Sequence, residues 1–269
     1  MKASSCMAIA TILTALVLLA IGVAVAEGSS VSSDQVPSDK GGDIPQPKSY
    51  MYVLTTDNEN NRITRVQVSE NGSALSMMTA MLTGSEGISS FWNFDKDTGM
   101  GPFNSFYAAI NIEAGPEADN GEKLLNTAAG TVAFVLDPYN LSRTIKGTEF
   151  TGDYNVMLIV PAVYWKADGN DLYLSSSPSY SAGGSIVGGM VAYAHTATSG
   201  GSESVFPYLG IGVYEASVSD GKMVSVSGAV PQANTNYEGF RSFADALAPA
   251  EGSDYQMWNF WQWTLCKMM

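Results

Sequence analysis

Apolar and polar positions are unevenly arranged along the chain. Met7 to Ala26 (MAIATILTALVLLAIGVAVA) runs without a charged side chain, and residues 27–48 then contain almost no apolar one. From Tyr50 the pattern becomes short and alternating. Tyr50 to Leu54 reads as a strand, and Ile63 to Val68 reads as its partner across an Asn-rich turn. Ala74 to Leu82 reads as a short helix, and Phe103 to Ile112 as a strand. Thr131 to Leu136 and Tyr154 to Val160 read as buried strands, and Asp137-Pro138-Tyr139-Asn140 as a turn. Val163 to Lys166, the turn Ala167 to Asp171 and Leu172 to Leu174 form the clearest hairpin signal. Met190 to His195 and Tyr208 to Ala216 read as further strands. Asp220-Gly221 turns into a strand from Met223 to Val226.

The period then changes. Phe240, Phe243, Ala244 and Leu247 fall at i, i+3, i+4, i+7, which is one face of a helix. Met257, Trp261 and Leu265 give a second helix in the segment DYQMWNFWQWTLCKMM. The fold class is therefore α+β: β-rich, with two late helices.

The N-terminal pattern adds an address. Lys2, the apolar run and the exit Ala24-Val25-Ala26 have the form of a secretory signal cut after Ala26. Twenty apolar residues at about 1.5 Å each also reach about 30 Å, so a retained signal anchor is the rival reading. Either way, the rest of the chain is expected outside the cytoplasmic membrane, extracellular or at the cell surface. The expected organisation is signal or anchor at 1–26, flexible linker at 27–48, β-rich N-terminal region at 49–129 and a C-terminal domain at 130–269.

Charge narrows the partners. The chain carries 13 Lys+Arg against 26 Asp+Glu, a net charge of −13, and loss of Lys2 with the signal makes it more acidic. Such a chain repels phosphate backbones, which argues against nucleic acid. Cys6 and Cys266 are the two cysteines, so cleavage leaves one thiol and no internal disulfide. Stability must come from a packed core.

Residues 208–243 carry a resemblance. Tyr208-Leu209-Gly210-Ile211-Gly212-Val213-Tyr214-Glu215-Ala216 is followed by Asp220-Gly221-Lys222, then Ser225-Val226-Ser227-Gly228-Ala229, Pro231, and Phe240-Arg241 with Ala244. The order resembles the G-x-Y-E-A, D-G-K-x-x-S-x-S-G-x-x-P, F-R-x-x-A core of phage tail-tip and tail-fibre receptor-binding domains. Those resemble the formylglycine-generating-enzyme branch of the C-type lectin fold, which prokaryotic surface proteins also display. The resemblance covers roughly residues 130–269. It implies a C-type-lectin-like module that presents loops for binding. It does not carry the enzyme's activity, because that chemistry needs a cysteine pair. Residues 254–269 read as a helix meant for a core, so further strands beyond Met269, hence an incomplete C-terminus, are expected unless the Trp/Met helix docks back onto the 208–243 region.

Few residues offer chemistry of their own. His195 is the sole histidine, and its setting reads as an ordinary partly buried one. Glu215 lies in an otherwise apolar stretch and is the carboxylate to consider for a hydrolase, against a structural pairing with Arg241. Asp95 and Asp97, and Asp168 with Asp171, are oxygen clusters that suit calcium or plain polar turns; no other cofactor is expected. Asn71 and Asn140 head N-x-[ST] sequons. Trp92, Trp258 and Trp263 are the aromatics expected to stack on a ligand.

These readings favour an exported, non-catalytic binding or adhesion protein that recognises a glycan or another surface ligand. The alternatives are an extracellular carboxylate-dependent hydrolase and a structural envelope component without a dedicated ligand.

Overall fold

The computed structural model describes residues 45, 47–57, 59, 62–77, 93–111, 126–127, 130–149, 154–199, 202–247 and 258–268. The apolar run at 7–26, Ala26 itself and Trp92 lie outside these residues. Among the described residues no helix is long and apolar enough to cross a membrane.

The strands are β1 (Tyr50–Asp57), β2 (Arg62–Glu70), β3 (Ser76–Met77), β4 (Phe106–Asn111), β5 (Asn126–Thr127), β6 (Gly130–Asp137), β7 (Asn140–Thr144), β8 (Asn155–Pro161) and β9 (Tyr164–Asp168). They continue as β10 (Asp171–Ser175), β11 (Ser179–Ala182), β12 (Ser185–Gly188), β13 (Thr196–Ser199), β14 (Ser202–Val205), β15 (Tyr208–Gly212), β16 (Ser217–Ser219) and β17 (Lys222–Val224). Two helices close the order, α1 (Tyr237–Asp245) and α2 (Phe260–Met268). The β-rich reading with two late helices therefore holds.

Two antiparallel sheets form the body. One has the order β3-β2-β1-β10-β9 and the other β15-β8-β4-β6-β5, with β7 also pairing β6. Each sheet draws strands from both sides of residue 130. In the second sheet the edge strands β15 and β5 approach each other, so the sheet curls.

Alternation along β1 explains why this central strand is buried on both faces. Tyr50 and Leu54 enter a cluster with Val160, Trp165, Leu174, Ile211 and Leu265, which joins both sheets to α2. Met51 and Val53 point the other way, to Tyr180, Ala182 and Met190 under the β11–β12 hairpin. In the second sheet Phe106, Ala108, Ile110, Val135, Met157 and Ile159 share a face closed to solvent.

Four sequence expectations need correction. Ser76–Met77, inside the expected helix 74–82, pairs with β2 as a strand; residues 78–82 lie outside the described set. Phe103 is not in a strand: it sits in a 3-10 turn, Pro102–Asn104, with φ 56°, and β4 begins at Phe106. Met190 to His195 is not a strand either. Val191 alone exchanges backbone hydrogen bonds with Trp165, after which Tyr193–His195 winds into a 3-10 turn closed by His195 N–H to the Ala192 carbonyl. Finally, β15 ends at Gly212: Val213 N–H still reaches the Val156 carbonyl of β8, but Val156 N–H donates to the Ser225 carbonyl instead of returning the bond, and Tyr214 N–H donates to Ser225 Oγ.

Candidate binding surface

Among the described residues, the segment with most exposed aromatic surface is α2 and the residue pair before it. Asn259 starts the helix. Its Oδ1 accepts from Trp261 N–H at 3.0 Å and Gln262 N–H at 2.9 Å, and Gln262 Oε1 accepts from Asn259 N–H at 3.0 Å. This reciprocal pair is a capping box built from Asn and Gln. It explains why a glutamine is buried on a helix so rich in tryptophan.

The helix is turned with Leu265 and Met268 into the main core and Thr264 and Gln262 beside them. Trp258 is 53% exposed, Phe260 61% and Trp263 41%. Lys267 lies one turn beyond Trp263, with Nζ 5.2 Å from the ring centroid. Trp261 joins the exposed aromatics to the core: its ring stacks on Tyr193 at 4.7 Å, and Trp165 packs edge-on at 5.7 Å from Trp261 and 5.0 Å from Tyr193. The result is an aromatic ledge on a rigid base. All hydrogen bonds of residues 258–268, among the described residues, stay within the segment. The ledge is held by buried side chains and ring contacts.

The turn that carries Tyr193 ends at His195, which is 2% exposed. Its Nε2 is 3.0 Å from the Val160 carbonyl oxygen, so Nε2 carries the proton and donates. Nδ1 is buried with no partner among the described residues. Burial lowers the pKa of the ring from 6.5 to about 4, and the bond to Val160 opposes that shift only in part. The histidine is thus neutral, and more deeply buried than the sequence reading had it. Burial also pushes the Cys266 thiol up to about 11, which keeps it a thiol and a poor nucleophile.

The other sequence candidates are dispersed. Asp95 Oδ1 accepts from Thr98 N–H and Asp97 N–H, both at 2.8 Å, and these bonds, Thr98 first, lower its pKa; the carboxylate closes its own turn. Asp97 is exposed beside it. Asp171 accepts from Thr55 Oγ1 at 2.6 Å and lies 3.9 Å from Arg65, while Asp168, opposite Asp171 in the β9–β10 register, is exposed. Among the described residues no group of three or more His, Cys, Asp or Glu is placed to hold a metal ion.

Glu215 is exposed in the bend after β15 and is not part of an apolar strand. Arg241 pairs with Asp245 and Glu238 on its own helix. Asn71 is exposed in a turn, and Asn140 is exposed at the first position of β7. Asn71 N–H donates to the Ser49 carbonyl, and Asn140 Oδ1 accepts from Ser142 N–H and Oγ–H.

The residues that carried the resemblance do structural work in this region. Gly212 brings the backbone against Ser225, where an added Cβ would sit 3.2 Å from Oγ. Asp220-Gly221 takes φ values of 50° and 76° to close the β16–β17 hairpin. No family model matches the chain, and no curated protein or solved structure matches it.

The sequence reading singled out Trp258 and Trp263 but did not identify Phe260 and Lys267 as their neighbours, nor Tyr193 as the support. Asn259-x-x-Gln262 was the available signal: it fixes where the helix starts, and so which side chains turn outward.

Proposed function

We propose that this chain is an exported, surface-displayed binding protein that recognises a glycan through the aromatic ledge of α2. The observation that carries the reading is the exposure of Trp258, just before α2, and of Phe260 and Trp263 on it, while the other side of the helix is locked into the core. Stacked aromatic faces suit sugar rings, and a fixed base lowers the ordering cost of binding. The export address rests on the pattern of residues 1–26. The lectin-like subtype of the β-rich fold is part of the same proposal, supported by the hairpin-rich stretch followed by two helices.

The non-catalytic part of the reading has three supports: a neutral buried histidine, a thiol held protonated, and an exposed Glu215 outside any described acid cluster. A glycan array followed by isothermal titration tests the proposal. The intact chain is expected to bind a defined glycan class, and Trp263→Ala and Trp258→Ala to weaken binding by about tenfold or more, in line with about 1–3 kcal/mol for a lost aromatic stack. Absence of binding to every glycan and cell-surface extract tried would overturn it.

A further inference from the structure

The ledge and the buried histidine are in contact through one turn. Tyr193 stacks under Trp261, Ala194 packs in the cluster that holds Leu265 and Met268, and His195 ends the turn with its ring directed to β8. Protonating that ring would put a charge and a new N–H at Nδ1, where no described group accepts it. Something packed against the ring must then yield. On its β8 side the ring is bonded to a strand locked into the ladder between β15 and β4. The turn that carries the ring meets α2 through Tyr193 and Ala194, and that contact is held by ring stacking and apolar burial, with no described hydrogen bond across it. The helix is therefore the cheaper element to release.

We infer that the Tyr193–His195 turn is an acid-sensitive latch for α2: protonation of His195 frees the aromatic ledge from the body while both sheets stay formed. This is a form of regulation of the proposed recognition face, and to that extent it rests on the binding reading.

The ionisable groups of the surrounding elements do not offset the charge. β8 has none, β15 has Tyr208, α2 has Cys266 and Lys267, β9 has Tyr164, Lys166 and Asp168, β14 has Glu203, and the turn has Tyr193. None of these acts on the ring, whose influences are burial and the Val160 carbonyl. The carboxylates of β9 and β14, Asp168 and Glu203, are exposed.

Four of the five tryptophans, Trp165, Trp258, Trp261 and Trp263, are in or against the ledge, so their emission reports its release. In the full chain the emission maximum is expected to move to the red as pH falls from 6.5 towards 4, with the far-ultraviolet strand signal unchanged. His195→Gln keeps a donor for Val160 and cannot titrate; it is expected to remove this transition. A transition of the same midpoint in His195→Gln, or one that coincides with loss of the strand signal, overturns the proposal.

Should that variant not fold, a second measurement decides. In a Cys6→Ser chain, labelling of Cys266 by a pyridyl disulfide that reacts in acid is expected to speed up by about tenfold or more between pH 6.5 and 4. An unchanged rate overturns the latch. Both readouts are independent of any sugar, so failure of the latch and failure of glycan recognition are told apart.

Discussion

Ser225 ties the backbone of Val156 and Tyr214 to the side chain of Asn155 from a buried position. Its Oγ donates to the Val156 carbonyl at 2.9 Å and accepts from Tyr214 N–H at 3.0 Å, and its own N–H donates to Asn155 Oδ1 at 2.8 Å. Ser225→Ala leaves the part-buried Tyr214 amide without its partner and takes one of two donors from the Val156 carbonyl, which keeps Val213 N–H. It is expected to cost about 2 kcal/mol, within the range of about 1–3 for an unsatisfied buried group, read as a lower urea midpoint at constant slope. His195 gives a residue-scale expectation for pH. Its folded pKa lies below the unfolded value, so the unfolded chain binds the proton first. Stability is complete above pH 6.5 and falls as pH drops from 6.5 to about 4, by about 3 kcal/mol in all. Titration of the urea midpoint between pH 7.5 and 4 checks this, and His195→Gln should flatten the profile. At this scale the sequence was partly legible. Asp220-Gly221 announces its turn by type. Ser225 did not announce its role, because the partners that define it, Asn155 and Val156, lie about 70 residues earlier.

Helix α1 follows its period closely. Ala244 and Leu247 are buried, Phe240 and Phe243 are half-buried, and Asn236 caps the first turn by accepting from Gly239 N–H at 2.9 Å. Local chemistry suffices there. Met190 to His195 shows the opposite. Met190, Ala192 and Ala194 are all buried at alternate positions, as in a strand. The alternation is real, but after Val191 the backbone turns away from β9, and Thr196 Oγ1 donates back to the Ala192 carbonyl at 2.8 Å. Period two reports which side chains go inside, and a 3-10 turn can satisfy it over so short a run. For α2 the sequence gives a helix but not its phase, since aromatics occupy nearly every side of it. The two sides predict opposite phenotypes. Leu265→Ala removes a fully buried side chain and is expected to cost about 2–5 kcal/mol of docking, seen as faster amide exchange across 260–268. Trp263→Ala is expected to leave exchange unchanged and remove only ligand binding.

The whole molecule is woven rather than strung. β1 lies between β2 and β10, and β4 between β8 and β6, so neither sheet survives a cut at residue 130. A fragment of residues 130–269 is expected to show no cooperative thermal transition, whereas residues 45–269 should unfold as one unit in calorimetry. The reason the sequence could not show this is physical. Alternation names the strands and hairpin turns pair the near ones, but the β1–β10 pairing is set by packing between segments more than a hundred residues apart. That pairing also sets an order of events during synthesis. The β1–β2 hairpin can close as soon as it emerges, yet one side of β1 has no neighbour until β10 follows, at residues 171–175. Until then a young chain presents the open backbone edge of Tyr50, Tyr52, Leu54 and Thr56, and the late, long-range closure makes folding slow. A chain with this topology is best served by a handler that keeps the first hairpin from pairing with a neighbouring copy until the second half arrives.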